Sequence, residues 1–283
     1  MTPESTITQP WAISLGARGI IVADVQKSLG LDGDVFNVTM RDTLKARHGS
    51  SEITPKVWSR ITKRALPALI DRCVALTAAF DDRSWGTATG NLGGIGASFG
   101  VLSCFNVRTG GLFDVFNRMP GHVVEHHLTS RGVDELRDVA GMMPVDRVRW
   151  GVSITAPGTT NMIPTWAARF EALGKTREAR KAQRDAAIEL WNSAMEQASQ
   201  IDVFAPALRS PEATHRRIAA LAFDTLVTDG KLDTSPISAL TLGTATPTFA
   251  RRGSVAGQDR RLTIALGRGT VKGKPYTLSA MGI

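Results

Sequence analysis

Helical spacing of apolar residues constrains this chain more than any other feature. From Ile20 to Leu29 the residues Ile21, Val22, Val25 and Leu29 fall on one helix face, and Gly30 ends the run. A turn rich in Asp and Gly follows, LDGDVFN, with Val35 and Phe36 as apolar anchors. The spacing predicts a second helix over 38–47 that presents Met40, Leu44 and Arg47 until His48-Gly49 stops it. Thr54 as N-cap and Pro55 at the first helical position open a third, which buries Val57, Trp58 and Ile61. Three short helices in about 50 residues make a module near the lower size limit for independent stability.

The same period recurs downstream. A helix over 68–80 has Leu69, Ile70, Val74, Leu76, Thr77 and Phe80 on its apolar side, and residues 81–99, with five glycines, form an irregular stretch. Helices are expected over 112–119 and 177–201, the latter with a stripe of Ala187, Trp191, Ala194, Ala198 and Ile201. Ser210-Pro211 reads as the cap of another, with Ile218, Leu221, Ala222 and Leu226 inward. RLTIALGRGTVKGKPYTL predicts two short strands around a Gly-rich turn. The fold class expected is therefore mainly α with a small β component. A length of 283 residues exceeds the usual single domain, which predicts a module at 1–64 and a second domain at 65–283.

Composition, 42% hydrophobic, is that of an ordinary globular protein, and no stretch approaches the ~18 apolar residues of a membrane span. The start MTPESTITQPWAISLG lacks a basic n-region and an apolar h-region, so no secretory signal is expected. Cys73 and Cys104 are too few for a disulfide framework or a zinc cluster and read as buried apolar residues, a single bridge having little support. Net charge +8 calls for an anionic partner, nucleic acid or a phosphate-rich envelope. The basic residues are dispersed, as in Arg177, Arg180, Lys181 and Arg184 beside Glu178 and Asp185, and no nucleic-acid motif accompanies them. Nucleic acid is not the expected partner.

LGARGIIVADVQKSLGLDGDVFNVTM followed by SSEITPKVWSRI resembles the peptidoglycan-binding module at the ends of many wall hydrolases. Arg18-Gly19, Val22, Val25-Gln26, Asp34-Val35-Phe36-Asn37 with Thr39, and Thr54 through Trp58 carry the likeness. Asn37 replaces the family's usual Gly, and SSEI shortens a turn that often repeats Asp-Gly. The resemblance implies that Arg18, Gln26, Asp34, Phe36 and Trp58 serve wall binding.

Residues 78–112, AAFDDRSWGTATGNLGGIGASFGVLSCFNVRTGGL, join a helix ending in two acids to a Gly- and Thr-rich connection. A glycosidase needs a carboxylic acid on a rigid element beside a groove, and burial next to aromatics such as Phe80 and Trp85 raises a carboxyl pKa toward a useful value. Residues 90–102, with Asn106 following, resemble the chitosanase-like branch of the lysozyme superfamily, especially phage-type wall hydrolases. The tail and Ala222-Phe223-Asp224 share the likeness. It implies a lysozyme-like domain that cuts glycan strands, with Asp81 and Asp82 as acids and Trp85, Thr87, Thr89, Asn91, Ser98 and Asn106 facing substrate.

Two departures bear on that chemistry. Asp81 stands where the family has Glu, one methylene short, and Gly93 stands where it has a second carboxylate. Misplacement by about 1 Å costs about two orders of magnitude in rate. Either Asp82, or a water held by Thr87 and Thr89, replaces the missing partner, or the acids merely end a helix and pair with Arg83 or Arg72. The readings are thus a phage lysin or virion tail component that cleaves wall, and a degenerate descendant that only binds it. Peptidoglycan is the expected partner, with other tail or virion proteins beside it, and no cofactor is expected.

His122-Val-Val-Glu125-His126 fits an inverted zinc-peptidase pattern, with Glu189 and Glu196 as candidate third ligands, and gives a second alternative, a zinc-dependent wall peptidase. That helix is expected to be brief. Asp224, near Arg216 and Arg217, reads as an ion pair, and Trp150, Trp166 and Trp191 read as core.

Overall fold

The computed structural model describes residues 13, 15–16, 20–33, 35–64, 67–209, 213–237 and 241–283. The protein is mainly helical with a small β component. It falls into two compact units, one of Met1–Leu76 with Trp191–Ile283 and one of Thr77–Leu190.

Within the first unit, α1 (Ile20–Leu29), α2 (Val38–His48) and α3 (Pro55–Thr62) form where spacing predicts them. Each end has a local cause. Gly30 ends α1 with φ 75, donating to Lys27 O while Leu31 N donates to Gln26 O. Asn37 caps α2 by accepting from Met40 N at 2.8 Å, and Gly49 closes it with φ 68. Thr54 accepts from Val57 N at 3.2 Å, Pro55 enters the first turn, and Lys63 closes α3 in the left-handed region. Ile13, Val22, Val25, Leu29, Phe36, Met40, Leu44, Ile53, Val57 and Trp58 form one apolar cluster, drawn wholly from this segment. Ile13 and Ile53 tie it by reciprocal 2.9 Å backbone hydrogen bonds.

The remainder of this unit includes α10 (Ala213–Asp229), α11 (Leu242–Ala250), α12 (Gln258–Leu266) and a hairpin of β3 (Arg268–Val271) and β4 (Lys274–Thr277). Residues 218–227 of α10 are all buried, as in a helix surrounded by core. Asp224 lies on it at 0% exposure and accepts from Arg260 Nη2 at 2.6 Å and Nε at 2.9 Å. It is the expected ion pair, with Arg260 as the partner shown rather than Arg216 or Arg217. Arg261, also buried, donates to Asp229 at 2.9 Å and to Ala250 O at 3.1 Å. The expected Ser210-Pro211 cap lies outside the described residues.

The second unit runs from the end of α4 (Leu69–Phe80) through a loop holding β1 (Ala88–Thr89) and β2 (Ser98–Phe99). It continues through α5 (Gly111–Asn117), α6 (Gly121–Ala140), α7 (Pro144–Ser153) and α8 (Pro164–Gly174) into α9 (Arg177–Ser199). Phe99 stacks on Phe116 and Phe170 at 5.8 and 5.2 Å between centroids, with Trp166 5.4 Å from Phe170. Trp166 is core as expected. Trp150 and Trp191 are only half-buried, Trp150 because its indole N–H reaches out to Glu135 at 2.6 Å. The helical piece at His122 is brief, as expected: it covers 121–128 of α6, and Thr129 (φ 66, ψ 158) has a non-helical backbone that separates it from the remainder.

Candidate functional site

Helix α4 ends in a hydrogen-bonded lock. Arg83 N donates to Ala78 O at 2.9 Å and Asp82 N to Ala79 O at 3.4 Å, with Asp82 left-handed at φ 55. Asp82 therefore occupies the place where glycine is usual, and its carboxylate is exposed. Asp81, one residue earlier, is half-buried. Phe80 points into the core at 1% exposure, and Trp85 is itself half-exposed.

Arg83 is the organiser that sequence alone presents only as a partner for the acids. It is 9% exposed, donating from Nε to Gly100 O at 2.8 Å and from Nη2 to Ser98 Oγ at 3.1 Å. Burial lowers its guanidinium pKa below the ordinary value, and the nearby Asp81 and Cys104 act in the opposite direction. Ser98 Oγ lies 2.5 Å from Thr89 Oγ1.

Gln183 of α9 is the second organiser and carries no motif. It is fully buried, accepts from Val101 N at 2.8 Å and donates to Trp85 O at 2.9 Å, pinning both ends of the loop. Gly100, at φ 97, has no room for a Cβ beside that amide. The only signal for Gln183 is its lone polarity among Ala179, Ala182, Ala186 and Ala187 on one helix face.

The polar residues expected to meet substrate hold the loop instead. Thr87 Oγ1 accepts from Ser84 N at 2.7 Å, and Asn91 Oδ1 accepts from Gly96 N at 3.0 Å. Asn106 Oδ1 accepts from Thr109 N at 3.0 Å while its amide donates to Ser103 O at 3.0 Å. Ser98 and Asn106 are buried, which removes them from contact with a polymer in this state. Thr89 and Trp85 keep part of their surface. Gly93 is exposed at φ 62, with nothing within 4 Å of where a Cβ would stand. Between Asp82 and Asp114 the chain has no acidic residue at all.

In the three-helix segment, Phe36 in the turn before α2 and Trp58 on α3 are 0% and 1% exposed and act as core. Gln26 is buried too, donating to Val35 O at 2.8 Å, while its Oε1 has no partner among the described residues. These three are corrected from wall contacts to buried residues, Phe36 and Trp58 in the apolar cluster and Gln26 holding the turn. Arg18 and Asp34 lie outside the described residues.

His122 and His126 are exposed one turn apart on α6. Among the described residues no group of three or more His, Cys, Asp or Glu is placed to hold a metal, and Glu189 is engaged by Arg118 at 2.6 Å. That pairing draws the Glu189 carboxyl pKa below its ordinary value. The three protein ligands of a catalytic zinc are therefore not assembled among the described residues. Cys73 and Cys104 are free thiols, Cys73 buried and Cys104 half-buried as a residue. No helix among the described residues is long and apolar enough to cross a membrane. No protein-family profile, curated protein or solved structure matches this chain.

Proposed function

We propose that this chain binds peptidoglycan without cleaving it, as the descendant of a phage-type wall hydrolase. One observation carries the reading: the loop from 83 to 113, which follows Asp81, contains no carboxylate. Glycoside hydrolysis of the usual kind needs two acids across the scissile bond, about 5–9.5 Å apart. Packing does not impose the loss, since the space around Gly93 is open. On this reading Asp82 serves to close helix α4 from the left-handed region and not as the second acid. The wall affinity is assigned to the three-helix segment on its sequence resemblance, with Asn37 in the cap position where the family has Gly. A non-cleaving binder suits a virion-borne tail component better than a free lysin, which must cut wall to act.

Full-length protein is incubated with purified peptidoglycan, the pellet is assayed for protein and the supernatant for new reducing ends. Protein in the pellet with no reducing ends is the expected outcome. Release of reducing ends that is lost in Asp81→Asn restores the hydrolase reading, and protein left in the supernatant removes the binding half. Mass spectrometry of purified phage particles tests the location.

A further inference from the structure

We propose that His122 and His126 form a surface site that chelates one divalent transition-metal ion, a site independent of wall binding. The two imidazoles sit at i and i+4 of α6, both exposed, so they share one helix face. Residues at this spacing have Cβ atoms about 5–6 Å apart, within reach of a common ion. Imidazole selects zinc, copper or nickel over calcium and magnesium, which require several oxygens. Two protein ligands leave the other positions to water, which makes this a chelate and not a catalytic zinc centre.

Three neighbours shape the pair. His127 packs edge-on against His126 with centroids 4.9 Å apart, restricting that ring. Glu125 lies one turn after His122 and directly before His126 in the chain, its Oε1 accepting from Ser130 Oγ at 2.5 Å. Its negative charge offsets the positive end of the helix, which otherwise opposes a cation. Thr129, just beyond, holds φ 66 and ψ 158, a region costly for a β-branched residue, so the histidines ride on an eight-residue stretch, 121–128, set off from the rest of α6. An ion bridging successive turns clamps that stretch.

The test is isothermal titration of untagged full-length protein with Zn²⁺ or Cu²⁺ alone, with Ca²⁺ and Mg²⁺ as controls. One ion per chain is expected, with no binding of the controls. His122→Gln and His126→Gln should each weaken affinity by roughly tenfold or more, at least the loss that outer partners of a metal site carry. His127→Gln and His48→Gln should stay within about twofold. Zn²⁺ should also slow amide exchange within 121–128 in the wild type and not in His126→Gln. All these side chains are at least partly exposed, and circular dichroism checks that each variant is folded. Wild-type affinity retained in either His122→Gln or His126→Gln overturns the site, as does binding that follows His48.

Discussion

Cys104 shows how far a single buried group departs from its behaviour in water. Desolvation pushes its thiol up to about 12 against the pull of Arg83, and burial raises Cys73 as well. Thiolate is the reactive form, so both cysteines should be inert in the folded protein. A colorimetric disulfide reagent at mildly alkaline pH is expected to find almost no thiol in native protein and two per chain in concentrated guanidinium. Rapid labelling of the native protein would show that the loop around Arg83 opens readily. Gly100 makes a sharper residue-level case, since Ala there meets the Gln183 amide and forces φ 97 on a side chain. Gly100→Ala should cost about 2–4 kcal/mol in denaturant unfolding, from strain together with overpacking. Gln183→Ala should cost about 1–3 kcal/mol per polar group left unsatisfied, here Val101 N and Trp85 O.

At the scale of elements, Asn37 has a definite physical role: its side chain takes one of the orphan N–H groups of α2. Asn37→Ala should lower stability by about 1 kcal/mol, and Asn37→Gly by a few tenths, read from thermal unfolding. An equal loss in both variants would mean that the side chain does not cap. The first three helices were legible because each has a periodic apolar face and an end signal: Gly30, Gly49, or Thr54 with Pro55. Helices α7 and α8 also begin at prolines, Pro144 and Pro164, and Trp166, Phe170 and Leu173 of α8 fall at helical spacing, so the same kinds of signal stand in that stretch of sequence. The break at Thr129 was not legible, because nothing in the residue type announces a positive φ. In the candidate site, Asp81 and the glycine loop could be read from spacing. The tasks of Thr87, Asn91 and Asn106 could not, since a polar side chain that ties its own loop and one that awaits a ligand look alike in sequence.

At the scale of the whole molecule, the apolar cluster of residues 13–61 has no member from elsewhere in the chain among the described residues. Its ten buried residues include Phe36 and Trp58, large side chains at 0% and 1% exposure. Burying such side chains contributes about 1.5–3 kcal/mol each before chain entropy is subtracted, and entropy removes most of that sum. The surrounding ion pairs add little, because Arg41–Asp42 and Arg64–Asp24 lie in solvent. A fragment of residues 1–64 should therefore fold by itself, but only marginally, as expected for a core of this size. Circular dichroism should show a helical spectrum with a cooperative melt, well below that of the full chain. The same fragment should pellet with peptidoglycan if the three helices carry the wall affinity. A coil spectrum in the cold would mean that the segment draws its stability from the rest of its unit. A folded fragment that stays in the supernatant would instead leave the core intact and move the binding surface elsewhere.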